Sequence, residues 1–558
     1  MDNELGIGPK GEVAHVDLLR HGEQFAPKLS HITDRVWHLV GVRSIANCTM
    51  IEGENGIILV DSGSSIDDAE AFLVEFRKVT DKPIVAVIYT HSHYTRGAQA
   101  YVDDAAPQSI QVWGHAKVHE NYTRGRPEIF PTYVRKIATQ MGNLVPAEGE
   151  DAAPNAGLGG EYHLSAGRYG YVKPTHTVET ASDVVIDSVP FRLIPAISDA
   201  DDCLTIWLPE ERVVIENIFW RVYPNFGAIR GEFYRRPTLW ADSVDDIRAL
   251  QPEHILGCHG TPYSGRDRID AMLSDYRDGI QYLYDQTIRG INQGLDQREL
   301  SETIDLPGSL KSNPVMQEHY GEFQFGVRGV YNGVMGWFGT DTSTLHPVPK
   351  RVEAERIIEG FGGRDALRAQ VDRWFEQGDF AWSAQLASYL VTTDPQNEED
   401  RRRKARSLRE MGRHSRSSIT RNYYLTEARE LEGKVDSFAL PHRSVAKLLE
   451  GGPESAFRIL RYEVDPDRAD GIDQTIGILF SDRAERAELT VRNCILIVDQ
   501  AAAGSPVPTL ELPFDRFARL LCGEVRLSDL LAQGQAIIHG DRSAVAAVLA
   551  CFDTPLSD

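Results

Sequence analysis

The sequence predicts an α/β fold over residues 1–347, an all-α segment over residues 348–434 and an α+β segment over residues 435–558. Three observations carry this reading. From about Ser30 to Pro347, short β-branched runs alternate with helical spacing and glycine turns. From about Arg351 to Gly433 the β runs give way to helix-forming residues. After Asp436 the β runs return.

In chain order, Cys48–Glu52 and Gly56–Val60 read as strands around the turn Gly53-Glu54-Asn55-Gly56, and Ile66–Val79 has helical spacing. Ile84–Tyr89 is a continuous apolar run, the pattern of a strand buried on both faces. It leads into His91-Ser92-His93. Val184–Ile186, Phe191–Ile194, Leu204–Leu208 and Val213–Ile215 are further expected strands, and His254–Leu256 is a short last one before Cys258-His259-Gly260. Glu148–Gly160, rich in Ala, Gly and Pro, reads as an exposed loop. In the second segment, Ala366–Gln377, Phe380–Val391, Glu398–Met411 and Thr426–Leu431 are expected helices; Asp394-Pro395 and Gly412 supply the stops. In the third, Ile476–Phe480, Leu489–Val491 and Ile495–Val498 are expected strands, followed by helices at Pro513–Leu521 and Ser543–Cys551.

Composition narrows the class. Of 558 residues, 42% are hydrophobic and 25% charged, which excludes a disordered chain, a collagen-like fibre and a coiled-coil rod. The balance of 82 acidic against 59 basic residues, a net charge of −23, repels phosphate backbones, so no nucleic-acid partner is expected. No stretch approaches the roughly 20 apolar residues that span a bilayer. The opening residues Met1–Asp17 lack a basic and apolar leader pattern, and the six cysteines form no CxxC pair. A cytoplasmic location is the expectation.

The chemistry gathers at strand ends. Two imidazoles one residue apart, where a buried strand turns, can converge on one metal ion. Asp199, Asp201 and Asp202 precede the strand Leu204–Leu208, Glu216 follows Val213–Ile215, and His259 follows the last strand. Rigid strand ends are where such enzymes gather functional groups.

Thr90-His91-Ser92-His93, with Asp61 after the preceding strand pair, resembles the metallo-β-lactamase superfamily. Asp202, Leu208–Glu211 and His259-Gly260-Thr261-Pro262 continue that pattern in order. Ala86–His93, Glu216-Asn217, Asn225 with Arg230-Gly231, Gly336-Trp337, Leu345-His346-Pro347 and Arg421–Thr426 are similar to stretches of the linear alkylsulfatases. The resemblance implies an αββα metallo-β-lactamase sandwich, a helical dimerisation domain and a sterol-carrier-like C-terminal domain, assembled as a homodimer. It implies a small-molecule sulfate ester or related anion as substrate, with Asn225 and Arg230 as substrate-binding residues. An aliphatic tail would be sheltered by the C-terminal domain, whose apolar residues (Phe457, Ile459, Ile476, Leu479, Ile495, Ile497) are equally those of a plain core.

One departure bears on the metal. The superfamily pattern is His-x-His-x-Asp-His, and this chain has His91-Ser92-His93-Tyr94-Thr95-Arg96. Threonine is a poor ligand and arginine none. The first site keeps His91 and His93 with Asp202 or Asp199; the second keeps only Glu216 and His259. One divalent ion is therefore expected, zinc or alternatively iron(II), with Arg96 serving Glu216 as a substitute cation. Glu216, Arg96 and Tyr94 are the candidate catalytic residues. The family's Arg-Asp-Pro reads Arg235-Arg236-Pro237, which predicts a more cationic or differently folded pocket.

Three functions follow from these residues. The first is an alkylsulfatase-like hydrolase with a single-metal site. The second is a non-haem iron oxygenase or metal-dependent lyase of a specialised biosynthetic pathway, because two histidines and one carboxylate make a facial triad. The third is a dimeric lipid-binding protein without catalysis.

Overall fold

The computed structural model describes residues 4–124, 129–162, 168–440, 444–483, 485–500, 506–553 and Leu556. The chain forms two compact units, Met1–Tyr122 with Arg135–Phe438, and Thr123–Val134 with Ala439–Asp558.

The first unit is built on two mixed sheets. The seven-stranded sheet runs Lys28–Thr33, Val36–Val40, Cys48–Glu52, Ile57–Val60, Ile84–Ile88, Gln111–His115 and His176–Val178. Its first pairings are antiparallel; those joining Ile57–Val60, Ile84–Ile88, Gln111–His115 and His176–Val178 are parallel. The six-stranded sheet runs Ser182–Ile186, Val189–Ala196, Cys203–Leu208, Val213–Glu216, His254–Gly257 and Tyr263–Ser264, with one parallel pairing between Val213–Glu216 and His254–Gly257.

The apolar run at Ile84–Ile88 is continuous because both faces of the strand are buried, and a register shift opposite Ile57 and Ile58 puts Ile84 on the same face as Val87. Ala86 and Ile88 enter the layer between the sheets with Ile58, Val60, Leu204, Ile206, Val213 and Ile215. Ile84 and Val87 face the other way, onto Phe72, Phe76 and Tyr101 of the helices Ile66–Phe76 and Ala98–Ala105. The second sheet's outer face, including Trp207, Val214 and Ile255, packs on the helices Pro237–Leu250, Arg266–Asn292 and Phe323–Met335. Helices thus cover both outer faces, the αββα arrangement. At one end the sheets are stitched together: Leu204 N–H donates to Thr90 O at 2.8 Å and Asn47 N–H to Cys258 O at 2.7 Å.

The helical segment belongs to this unit. It comprises Lys350–Gly360, Arg364–Glu376, Phe380–Thr393, Glu398–His414 and Ser418–Leu431. Asp379, Asn397 and Ser417 each cap a helix by accepting a backbone N–H with the side chain. The buried Asp400 is gripped by Arg364 and Arg368.

The Glu148–Gly160 segment corrects the exposed-loop expectation. It has no regular structure, but Ala152 and Asn155–Gly159 are buried. Its polar groups are satisfied internally: Asp151 takes the Arg409 guanidinium at 3.0 Å, and Asn155 donates to Leu18 O at 2.8 Å. A loop can be buried when such partners exist.

Glu322, before the helix Phe323–Met335, accepts a hydrogen bond from Thr420 Oγ1 on the helix Ser418–Leu431. Burial pushes its carboxyl up to about 7 from the ordinary 4.5, against the Thr420 hydrogen bond. A raised carboxyl favours folding fully below its unfolded value and loses that contribution as pH rises through the folded value. Glu322→Gln is expected to abolish this loss. Its stability relative to the parent should grow by roughly 2–3 kcal/mol between about pH 5 and about pH 8, read as paired denaturation curves. A pH-independent difference would contradict it.

The second unit holds a five-stranded sheet in the order Ile495–Gln500, Glu485–Arg492, Gln474–Phe480, Thr509–Leu512 and Ile537–His539. Phe457, Phe480, Phe514 and Phe517 join one core with Leu448, Val545 and Val548 of its helices. Phe457 and Ile476 are thus core residues, whereas Ile495 is 54% exposed. Among the described residues, no helix is long and apolar enough to cross a membrane.

Candidate metal centre

The strand end at Ile88 delivers the first two imidazoles. Asp61, after the neighbouring strand Ile57–Val60, accepts Thr90 N–H at 2.8 Å and Thr90 Oγ1–H at 2.6 Å. With its hydroxyl proton so committed, Thr90 Oγ1 accepts from His91 Nδ1, 2.9 Å away. This fixes the tautomer: Nδ1 carries the proton and Nε2 keeps its lone pair. His91 is fully buried, and its Nε2 has no hydrogen-bond partner. Burial holds the ring well below the usual imidazole range, so it stays neutral.

His93 and Asp199 complete the cluster. One ligand atom each from His91, His93 and Asp199 lies within 4.8 Å of the others. Asp199 Oδ1 is held by Asn217 Nδ2 at 2.9 Å and Ser198 Oγ at 3.2 Å, which leaves Oδ2 facing His93 Nδ1 at 3.3 Å. Burial works to raise the Asp199 carboxyl, but the His93 ring and Arg235 hold it well below the usual range. A bare buried imidazole nitrogen, a second imidazole and an ionised carboxylate fit a divalent ion.

Asp202, the other carboxylate open on sequence, stands outside this cluster. It opens the strand Cys203–Leu208 and is buried near His93 and His115, where burial pushes its carboxyl up. The loop before that strand turns Asp199 inward instead.

The expected second site is occupied differently. Thr95 is buried, and its hydroxyl donates to Ser92 O at 3.1 Å. His259 Nδ1 donates to Ile45 O at 2.9 Å, and its Nε2 accepts from Tyr94 Oη–H at 3.4 Å. Burial brings His259 down to about 4 and pushes the Tyr94 hydroxyl well up. Glu216 is engaged at both oxygens: Oε2 accepts Ile218 N–H at 2.5 Å and Phe219 N–H at 2.7 Å, and Oε1 accepts Arg221 Nη1–H at 2.9 Å. The role expected of Arg96 is corrected on this point. The cation on Glu216 is Arg221, while the Arg96 guanidinium lies 5.5 Å over the Tyr169 ring, and its carbonyl accepts Gly170 N–H. Chain direction decides it, because after the short helical turn Ser92–Tyr94 the backbone leads away into the helix Ala98–Ala105.

A buried group of cationic and amide side chains adjoins the cluster. Asn225, Arg230 and Arg235 are all buried. Asn225 Nδ2 and Arg235 Nε have no partner, and Arg235 Nη2 lies 3.9 Å from Asp199 Oδ2. Arg235 Nη1 donates to Asn225 O at 2.6 Å, and Arg230 meets Gln140 Oε1 at 3.4 Å and Glu232 at 3.0 Å. Gln140 is itself held by Tyr320 Oη at 2.8 Å and, through its carbonyl, by Asn422 at 3.0 Å. Arg236, the residue that breaks the Arg-Asp-Pro pattern, is exposed. Arg221 was not singled out from the sequence, and Arg235 only as part of Arg235-Arg236-Pro237. Arg221 had a signal: an arginine inside Ile218-Phe219-Trp220-Arg221-Val222-Tyr223 must find a buried anion.

Comparison with known proteins gives the family. Residues 41–95 match the metallo-beta-lactamase superfamily, residues 296–434 the alkyl sulfatase dimerisation family and residues 448–558 the alkyl sulfatase C-terminal family. A linear primary-alkylsulfatase of a Pseudomonas species is 32% identical over 523 residues, covering 90% of this chain and 98% of the relative. An alkyl/aryl-sulfatase of Saccharomyces cerevisiae is 29% identical, covering 94% of this chain and 82% of its own. Among solved structures, the stereoselective inverting sec-alkylsulfatase of a Pseudomonas species superposes with a TM-score of 0.85 at 24% identity, covering 99% of this chain and 92% of that one.

Proposed function

Because the chain belongs to the linear alkylsulfatase family, with its metallo-β-lactamase domain, we propose that it hydrolyses a small-molecule sulfate ester at a single-metal site. The observation that carries the proposal is the bare Nε2 of His91, converging with His93 and Asp199 next to the buried Asn225, Arg230 and Arg235. A divalent ion held there would lower the pKa of a bound water and polarise the ester. Asn225, Arg230 and Arg235 take the sulfate oxygens, an arginine fork suiting two of them at once. Tyr94, kept protonated by burial with its ring 5.3 Å from His91, is the donor assigned to the departing alkoxide oxygen. Glu216 is structural here rather than a base, since both its oxygens are engaged. Zinc suits the donor set. Residues 348–434 would pair two copies, and residues 435–558 would shelter an aliphatic tail.

Two imidazoles and one carboxylate also make the facial triad of non-haem iron(II) oxygenases, which is the second reading. One experiment separates the two. Protein loaded with zinc or, anaerobically, with iron(II) is given a primary alkyl sulfate, and free sulfate, alcohol and dissolved oxygen are measured. Equal release of sulfate and alcohol without oxygen uptake, absent in His91→Ala, is the expected result. Oxygen consumption with iron and no sulfate from zinc protein would overturn the hydrolase.

A further inference from the structure

We propose that Arg221 takes the place of a second metal ion in this centre, so that the site is built to hold one ion only. The inference rests on the reading that His91, His93 and Asp199 hold the first.

The two family ligands that survive at the second position are Glu216, ending the strand Val213–Glu216, and His259, in the turn after the adjacent parallel strand His254–Gly257. The Arg221 side chain joins the two strand ends. Nη1 donates to Glu216 Oε1 at 2.9 Å and to Phe219 O, Nη2 to Ile255 O at 3.4 Å, and Nε to Thr261 O at 3.1 Å. Thr261 and Ile255 flank the turn that carries His259, so the guanidinium spans from the glutamate to that turn.

The Arg221 side chain packs against the turn. A Cβ at Gly260 would fall 2.8 Å from Arg221 Cδ, and one at Gly257 would meet both Arg221 Nη1 and the His259 carbonyl. Gly260 is at φ +71°, so glycine there also serves the backbone of the turn itself. Arg221 itself sits at φ +62°, a left-handed conformation that a non-glycine residue holds only where its surroundings impose it.

The pair is also closed electrostatically. The Glu216 and Arg221 side chains are 0% and 2% exposed, so neither charge is answered by water. With both oxygens of Glu216 donated to, a second dication would have to displace the guanidinium and would then meet a buried positive charge. Thr95 and Arg96 remove the other two ligands, but they are the smaller obstacle, because restoring them would leave Arg221 in place.

The experiment counts ions. Wild type, Thr95→Asp/Arg96→His, and the same pair with Arg221→Met or Arg221→Lys are dialysed against zinc chloride alone, gel-filtered and analysed by inductively coupled plasma mass spectrometry. Folding is checked by thermal melts. The expected counts per chain are one for wild type, one for Thr95→Asp/Arg96→His, one with Arg221→Lys added and two with Arg221→Met added. Two ions in Thr95→Asp/Arg96→His, with Arg221 intact, overturn the proposal, and this variant decides even if Arg221→Met does not fold. Two ions in wild type overturn it also. Zero ions in wild type would instead overturn the metal reading on which it rests, which separates the two failures.

Discussion

Asp199→Ala is expected to lose the bound ion and to lower sulfate-ester hydrolysis about 10³-fold or more, while Asp202→Asn keeps the ion. The magnitude follows from the several kcal/mol that a Lewis-acidic ion contributes to a charge-developing transition state, at about 1.4 kcal/mol per factor of ten. The direction follows from geometry. Asp199 Oδ1 is pinned by Asn217 and Ser198, so Oδ2 is presented to His93 and the bare nitrogen of His91 without further loss of side-chain freedom. Asp202 is buried at the start of a strand, where burial favours its neutral form. Metal content after dialysis and kcat/KM with an alkyl sulfate are the two readings. An ion lost from Asp202→Asn and retained in Asp199→Ala would reverse the assignment.

How much of this was legible in the sequence depends on the kind of signal. The strand before His91 was legible because burial on both faces writes a continuous apolar run, and both faces are indeed filled, by Ile88 and Ala86 on one side and Val87 and Ile84 on the other. The helices after Arg364 were legible because side-chain caps and stops punctuate them. The fourth begins at Ser418, earlier than Thr426, because Ser417 caps it ahead of a stretch that mixes polar and apolar residues. Short strands such as Leu5–Ile7, Gln111–His115 and His176–Val178 were missed, since glycine or polar residues (Gly6, Gln111, Gly114, His176, Thr177) break up their few apolar ones. At the site, His91 and His93 were legible from spacing alone. The choice between Asp199 and Asp202 was not, because it depends on which carboxylate a loop turns inward and on Asn217, eighteen residues away from Asp199, holding it there. Nor was the identity of the substitute cation: Arg96 is near the histidines in sequence, Arg221 is near Glu216 in space, and only the second proximity forms the salt bridge.

The same distinction governs the two arginines of Arg235-Arg236-Pro237. Arg235→Gln is expected to reduce kcat/KM for an alkyl sulfate by about 10²- to 10³-fold, the usual effect of deleting one preorganised donor to a developing oxyanion. Arg236→Gln should change it less than about threefold, as exposed charges act weakly. Arg235 is buried, anchored through Nη1 to the Asn225 carbonyl, and carries an Nε without a partner beside the equally unpartnered Asn225 Nδ2. Two buried donors with nothing to bind are costly unless a ligand completes them, so they are best explained by an anion that enters with the substrate. Arg235 Nη2 is 3.9 Å from Asp199 Oδ2, close enough to bias the carboxylate towards its ionised form but longer than a good hydrogen bond. Loss of Arg235 should therefore weaken competitive inhibition by inorganic sulfate in parallel with the loss of kcat/KM, while the ion count stays at the wild-type value. If sulfate inhibition were unchanged and the ion were lost instead, Arg235 would be a support of Asp199 and not a donor to the substrate. Arg236 supplies the control, since it shares the charge and the chain position but faces solvent.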